Sequence, residues 1–190
     1  MTTEFIAQGI GIVAAAISIS SFQFKNNKTL FILRAIASIL FALNYFLIEA
    51  YTASLLNAIN IICMLLMVYG ERHRYIAIPI SLCAMYVAAV VFTYEDVLSI
   101  FLLIAQFAVV LSLWTADGLK IRLAQLFIAS PIWLVNNIIV FTIGGIVTEV
   151  FAIVSVIVSI IRFGFKGLRR VEPVQETVEE TVAESETETN

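Results

Sequence analysis

RAIASILFALN, Arg34–Asn44, lies over LFIASPIWLVN, Leu126–Asn136, when the chain is slid along itself by 92 positions without gaps. Around this stretch Ser20 meets Ser112, Phe22 meets Trp114 and Lys28 meets Lys120. Ile36-Ala37-Ser38 meets Ile128-Ala129-Ser130, Phe41 meets Trp133 and Asn44 meets Asn136. Apolar sequences match easily, so the weight of this register rests on what it does to the layout of the whole chain.

That layout is a series of long apolar runs. A helix rises about 1.5 Å per residue, so about 20 residues cross about 30 Å of hydrocarbon. The runs predict spans at roughly 4–22, 29–48, 51–69, 75–93, 97–115, 121–142 and 146–164. The breaks between them are short and polar, such as Lys25-Asn26-Asn27-Lys28, Glu71-Arg72-His73-Arg74 and Glu95-Asp96, with Gly144-Gly145 before the last span. Backbone groups in lipid must be satisfied internally, and continuously apolar runs of this length do that as helices. A transmembrane barrel requires alternating polarity over about ten residues per strand. The first run carries Glu4 and no Lys or Arg at its start, unlike a cleavable signal peptide, and reads as a retained span.

On this layout the 92-residue register carries spans one to three onto five to seven and leaves span four as a linker. The expected fold is an all-α polytopic membrane protein of seven transmembrane helices, two parallel three-helix repeats plus a linker helix. Repeat one covers about 4–69, the linker about 75–93 and repeat two about 97–164, all within a transmembrane domain at 1–170. Parallel repeats related by an axis along the membrane normal are one of the repeat classes of transporters.

Basic residues set the expected orientation. With seven spans, all 11 Lys and Arg fall on the side of the loops after spans one, three and five and of the C-terminal end. The other side holds Glu4, Glu49, Glu95, Asp96 and Glu149 and no basic residue. The N-terminus is therefore expected outside and the C-terminus in the cytoplasm. The glycosylation pattern Asn27-Lys28-Thr29 then falls on the cytoplasmic side and is set aside.

Composition agrees and excludes other classes. Of 190 residues, 61% are hydrophobic and 13% charged, about half the charge of a soluble domain. The net charge of -3 is dominated by the end of the chain: seven of the 14 acidic residues lie between Glu172 and Glu188. The segment 171–190 has no aromatic residue and reads as a disordered acidic cytoplasmic tail. Scattered basic residues argue against nucleic acid as a partner; the expected partners are the lipid bilayer and a small polar solute. Cys63 and Cys83 sit in apolar runs and read as small buried hydrophobes. The only histidine, His73, is in a loop, and neither HExxH nor GxSxG occurs, so no enzyme, metal or cofactor is expected.

Polar residues within the spans are the candidate site, because such groups are costly in lipid and face the bundle interior. Asn44, Asn57, Asn60, Asn136 and Asn137 fall in the outer halves of spans two, three and six, and Asn57 and Asn60 share a helix face. They read either as a solute pocket or as hydrogen-bond ties between helices. Glu149 reads either as a proton-coupling carboxyl or as an interfacial group near its helix N-terminus. Pro131 is either a hinge or a simple kink in span six. Arg34 is expected to snorkel to the cytoplasmic interface.

SFQFKNNK at Ser21–Lys28 resembles the Pro-Gln loop of the PQ-loop and SWEET transporter superfamily, with Phe22-Gln23 at the Pro-Gln position. The resemblance makes Gln23 a hinge candidate. LFALNYFLIEAYTASLLNAIN at Leu40–Asn60 is similar to the YgjV-type bacterial inner-membrane family, a distant relative of SWEETs. Asn57 resembles the solute-facing asparagine on the third helix of a SWEET repeat, and Glu149 stands at the matching position of the second repeat. The resemblance implies a multi-pass protein of the bacterial inner membrane and a SWEET-like small-solute transporter working by alternating access. A non-transporting membrane scaffold or regulatory protein is the alternative.

Overall fold

The computed structural model describes residues 2–21, 27–69, 76–115 and 117–167. Gln23, the loop at 71–74 and the tail at 171–190 lie outside the described residues. Among the described residues all regular structure is helical: α1 (Thr2–Ser21), α2 (Asn27–Leu47), α3 (Tyr51–Tyr69), α4 (Ala77–Phe92), α5 (Val97–Trp114), α6 (Gly118–Ala124), a π-helical segment (Gln125–Ala129), α7 (Ser130–Ile139) and α8 (Ile143–Gly167). α6, the π segment and α7 run on as one apolar stretch, Leu119–Ile139. Five helical stretches are long and apolar enough to cross a membrane, and the shorter apolar helices Tyr51–Met67 and Ala77–Phe92 make seven. The seven expected spans are therefore all helices, and their ends fall within a few residues of the expected ones.

Side-chain caps fix where several helices begin. Asp96 accepts from the backbone N–H groups of Leu98 and Ser99 at 2.8 and 3.3 Å, and so starts α5. Asp117 does the same for α6, from Leu119 at 2.9 Å and Lys120 at 3.4 Å. Each such cap satisfies a backbone donor that a helix start leaves unpaired, worth about 1 kcal/mol. α3 is capped from the loop between α4 and α5, and α8 from α1. Glu95 Oε1 accepts from Thr52 N at 3.0 Å, and Gln8 Oε1 accepts from Ile143 N at 3.0 Å.

The turns before α3 and α8 are the same structure at positions 92 apart. Ala50 N donates to Tyr45 O at 2.9 Å, and Thr142 N donates to Asn137 O at 2.9 Å. Glu49 N donates to Phe46 O at 3.2 Å, and Phe141 N donates to Ile138 O at 3.3 Å. Glu49 has φ 64° and Phe141 has φ 53°, so each helix ends on a left-handed residue with the bond pattern of a Schellman cap. Neither residue is glycine, which has no Cβ to strain in this conformation.

Gly144 and Gly145, read from the sequence as a break, lie instead in the first turn of α8. The turn is made by Val140–Thr142, and the glycines serve close packing. A Cβ on Gly144 would lie 2.0 Å from the Gly11 carbonyl oxygen, so α1 and α8 meet there backbone to backbone. Small residues at helix contacts are how membrane bundles pack without a hydrophobic drive between helices.

Packing follows the chain within each half. α2 lies against α1 and α3; α5 lies against α6, the π segment and α7, and α7 against α8. The halves meet through α1 with α8 and α3 with α5, and α4 touches α3 and α5. The surface is apolar, with Phe5, Ile76, Phe92, Phe127 and Ile161 among the most exposed residues. The interior holds small residues, Ala7, Ala14, Ala37 and Ala53, together with buried Asn44, Asn57, Gln106, Asn136 and Asn137. This distribution suits lipid outside and a polar, tightly tied bundle inside.

Candidate functional site

A cavity of about 140 Å³ lies inside the bundle, walled by both halves of the chain. Its polar lining includes Arg34, Asn57, Asn60, Gln106, Asn137 and Glu149. Phe41, Tyr45, Trp133, Met64 and Val109 also line the cavity. The Tyr45 ring packs between Phe41, at a centroid distance of 6.2 Å, and Trp133, at 5.9 Å.

The lining repeats at the interval that relates the two turns. Ala37 and Ala129, Phe41 and Trp133, Tyr45 and Asn137, Asn57 and Glu149, and Asn60 and Ala152 all line the cavity, and each pair is 92 residues apart. One pair closes on itself, Tyr45 donating from its hydroxyl to Asn137 Oδ1 at 2.5 Å.

The five candidate asparagines divide. Asn57, Asn60 and Asn137 line the cavity, whereas Asn44 and Asn136 do not. Asn57 Nδ2 donates to Ala53 O at 3.0 Å within α3, and Asn60 Oδ1 accepts from the Tyr86 hydroxyl of α4 at 2.7 Å. Asn44 is fully buried and is a tie: its Nδ2 donates to Ala7 O of α1 at 2.6 Å, and its Oδ1 accepts from Thr142 Oγ1 at 3.4 Å. Asn136 faces a second, smaller cavity of about 40 Å³ beside Thr52, Glu95 and Ser99. Its buried Nδ2 has no hydrogen-bond partner. The second cavity has room for about one water molecule, whose share of liquid volume is about 30 Å³.

Glu149 lies in the seventh position of α8, about 9 Å along the helix from its start. It is half-buried and lines the cavity, and its Oε2 is inaccessible and without a hydrogen-bond partner. Ser130 hydrogen-bonds the Glu149 carboxyl, and Ser130 Oγ in turn accepts from Gln125 Nε2 at 2.7 Å. Arg34, expected to reach the interface, lines the same cavity, and its guanidinium acts electrostatically on Glu149. The site thus contains a cation and an anion, and neither has a charged counterpart under the 92-residue register: Leu126 matches Arg34 and Asn57 matches Glu149.

Pro131 explains the broken sixth span. It has no backbone N–H to donate and its ring crowds the preceding turn. The helix accommodates this with the π segment just before it, where Ser130 N donates to Gln125 O. The π segment directs Gln125 and Ala129 to the cavity, while Pro131 itself is exposed. Such π insertions often occur at functional positions.

Sequence reasoning missed Gln106, Gln125 and the inward turn of Arg34. Gln106 and Gln125 are lone polar residues deep in apolar runs, and that isolation is a signal of an interior position. Among the described residues no group of three His, Cys, Asp or Glu comes together as a metal site.

A family model described as a bacterial inner membrane protein, Imp-YgjV, matches residues 5–166. No curated protein and no solved structure matches the chain.

Proposed function

Because the chain belongs to the Imp-YgjV family of bacterial inner membrane proteins, we propose that it is a multi-pass carrier of a small polar solute. The observation that carries this reading is the cavity of about 140 Å³, lined in part by polar groups and built from residues of both halves at matched positions. Burying so many polar groups in a membrane bundle is costly unless they are used as ties or as a site. Asn44 is accounted for as a tie; Glu149 Oε2 is not.

In this reading α1–α3 and α5–α8 are the two moving units, and the solute is held between them. Rocking of one against the other, about the Gly11–Gly144 contact, exposes the cavity to either side in turn. Pro131 and the π segment give α7 its own hinge. The N-terminus faces outward and the C-terminus the cytoplasm, on the strength of the one-sided Lys and Arg.

The test is access. In a background with Cys63→Ala and Cys83→Ala, Asn60→Cys is exposed to a membrane-impermeant thiol reagent in right-side-out and in inverted vesicles. A carrier gives labelling from both sides, at rates a bound solute changes. Labelling from neither side means a bundle packed shut and favours a membrane scaffold.

A further inference from the structure

The charges in the cavity define what would fit it. Arg34 lies in the eighth position of α2 and Glu149 in the seventh position of α8. Each is about 10 Å along its helix from the start, and in a seven-span chain those two starts lie at opposite membrane faces. The cavity lies between them and is lined by both side chains. Glu149 contributes a carboxylate that lines the cavity, with one oxygen left without a hydrogen-bond donor. Arg34 contributes a guanidinium, whose five N–H donors exceed what a single partner uses. Phe41, Tyr45 and Trp133 line the same cavity.

We propose that the solute is a small zwitterion, an α-amino acid with a short side chain, its ammonium on the Glu149 carboxylate and its carboxylate on Arg34. This rests on the carrier reading above and narrows it. A buried ion is stabilised by an opposite charge and destabilised by a like one. A solute bearing only an ammonium answers Glu149 and is repelled by Arg34. A solute bearing only a carboxylate has the reverse difficulty. A neutral polyol supplies hydrogen bonds to both and opposite charge to neither. Only a solute with both charges answers both ends, and guanidinium pairs with carboxylate in a bidentate geometry. Volume sets the size: a cavity of about 150 Å³ holds benzene, so about 140 Å³ admits a molecule of roughly six or seven heavy atoms. L-serine and L-alanine are of that size, and L-tryptophan is not.

The experiment is thermal unfolding of the purified protein in detergent, titrated with L-serine, ethanolamine, L-lactate, glycerol and L-tryptophan. L-serine is expected to raise the unfolding temperature at concentrations at least ten-fold below those at which any of the other four does so. Glu149→Gln and Arg34→Gln are each expected to weaken the serine effect at least ten-fold. Glycerol equal to L-serine overturns the zwitterion, as does ethanolamine or L-lactate equal to it. The wild-type series needs no variant to fold. No shift with any solute, with Asn60→Cys labelled from both sides, overturns the zwitterion and leaves the carrier standing. No shift with labelling from neither side overturns both.

Discussion

The Tyr45 hydroxyl donates to Asn137 Oδ1 at 2.5 Å, and the two residues occupy the same position in the two halves of the chain, 92 residues apart. A contact between matched positions is what a rotation axis passing close to both would produce. Tyr45→Phe removes the donor and leaves a buried amide oxygen short of a partner. The expected loss is about 1 kcal/mol, the scale of interhelical hydrogen bonds in membranes. Gly145→Ala acts on the same bond, since a Cβ there would lie 2.6 Å from Asn137 Cγ. The double variant should lose less than the sum of the singles, and a double-mutant cycle of unfolding free energies measures that coupling. Additive losses would show that Gly145 does not act through Asn137.

Two glycines near the α1–α8 contact should behave oppositely. Gly144→Ala puts a Cβ 2.0 Å from the Gly11 carbonyl oxygen, and backbone cannot swing aside as a side chain can. The helices must separate, with an expected cost of about 1–3 kcal/mol or more. Gly9→Ala meets nothing within 4 Å and improves helix propensity, so it should be neutral or stabilising by up to about 1 kcal/mol. Unfolding midpoints of the two variants against wild type decide this.

Asn44 and Asn136 match in sequence and differ in environment. Asn44→Ala removes ties to Ala7 and Thr142 and should cost about 1–2 kcal/mol. Asn136→Ala removes an amide whose buried Nδ2 has no partner, and should cost clearly less. Equal losses would mean that Asn136 is tied in solution as firmly as Asn44.

Pro131→Ala restores a backbone donor and removes the cause of the π insertion. Closing the insertion takes one residue out of that turn and rotates the preceding side chains by about 100° around the axis. Gln125 would then leave the cavity and release Ser130. The variant should be more stable than wild type and should label more slowly at Asn60→Cys. Unchanged labelling would separate the π segment from access.

The spans were legible because apolar runs of 16 to 25 residues have few other uses. The repeat was legible in part. Ile36-Ala37-Ser38 matches Ile128-Ala129-Ser130 by identity, but Glu49 and Phe141 share only a backbone conformation, which unlike side chains conceal. Gly144 and Gly145 were misread because glycine serves both turns and close approach, and only the partner helix distinguishes the two. Arg34 was misplaced for a related reason: its depth in α2 can be counted, but the direction it faces depends on how α2 packs against its neighbours. Of the candidate site, Asn57, Asn60, Asn137 and Glu149 were legible as polar residues in spans. Their division from Asn44 and Asn136 depended on packing: Asn44 is tied to Ala7 of α1 and to Thr142, and Asn136 faces the smaller cavity beside Thr52 and Ser99.

α4 contributes no residue to the lining of the central cavity, and its buried residues are few: Pro79, Leu82, Tyr86, Ala89 and Val90. Its importance is one of parity. Three crossings leave a chain on the far side of the bilayer, so a second three-helix unit joined directly to the first would be inserted upside down. One additional crossing restores the direction, and only then can two turns formed bond for bond alike lie at the same face. An apolar stretch of roughly the right length meets that requirement whatever its side chains. Apart from Tyr86, which is fully buried and donates to Asn60, the sequence of α4 is therefore freer to drift than the helices around it, and a chain lacking it would lose the matched lining without losing any residue that forms it.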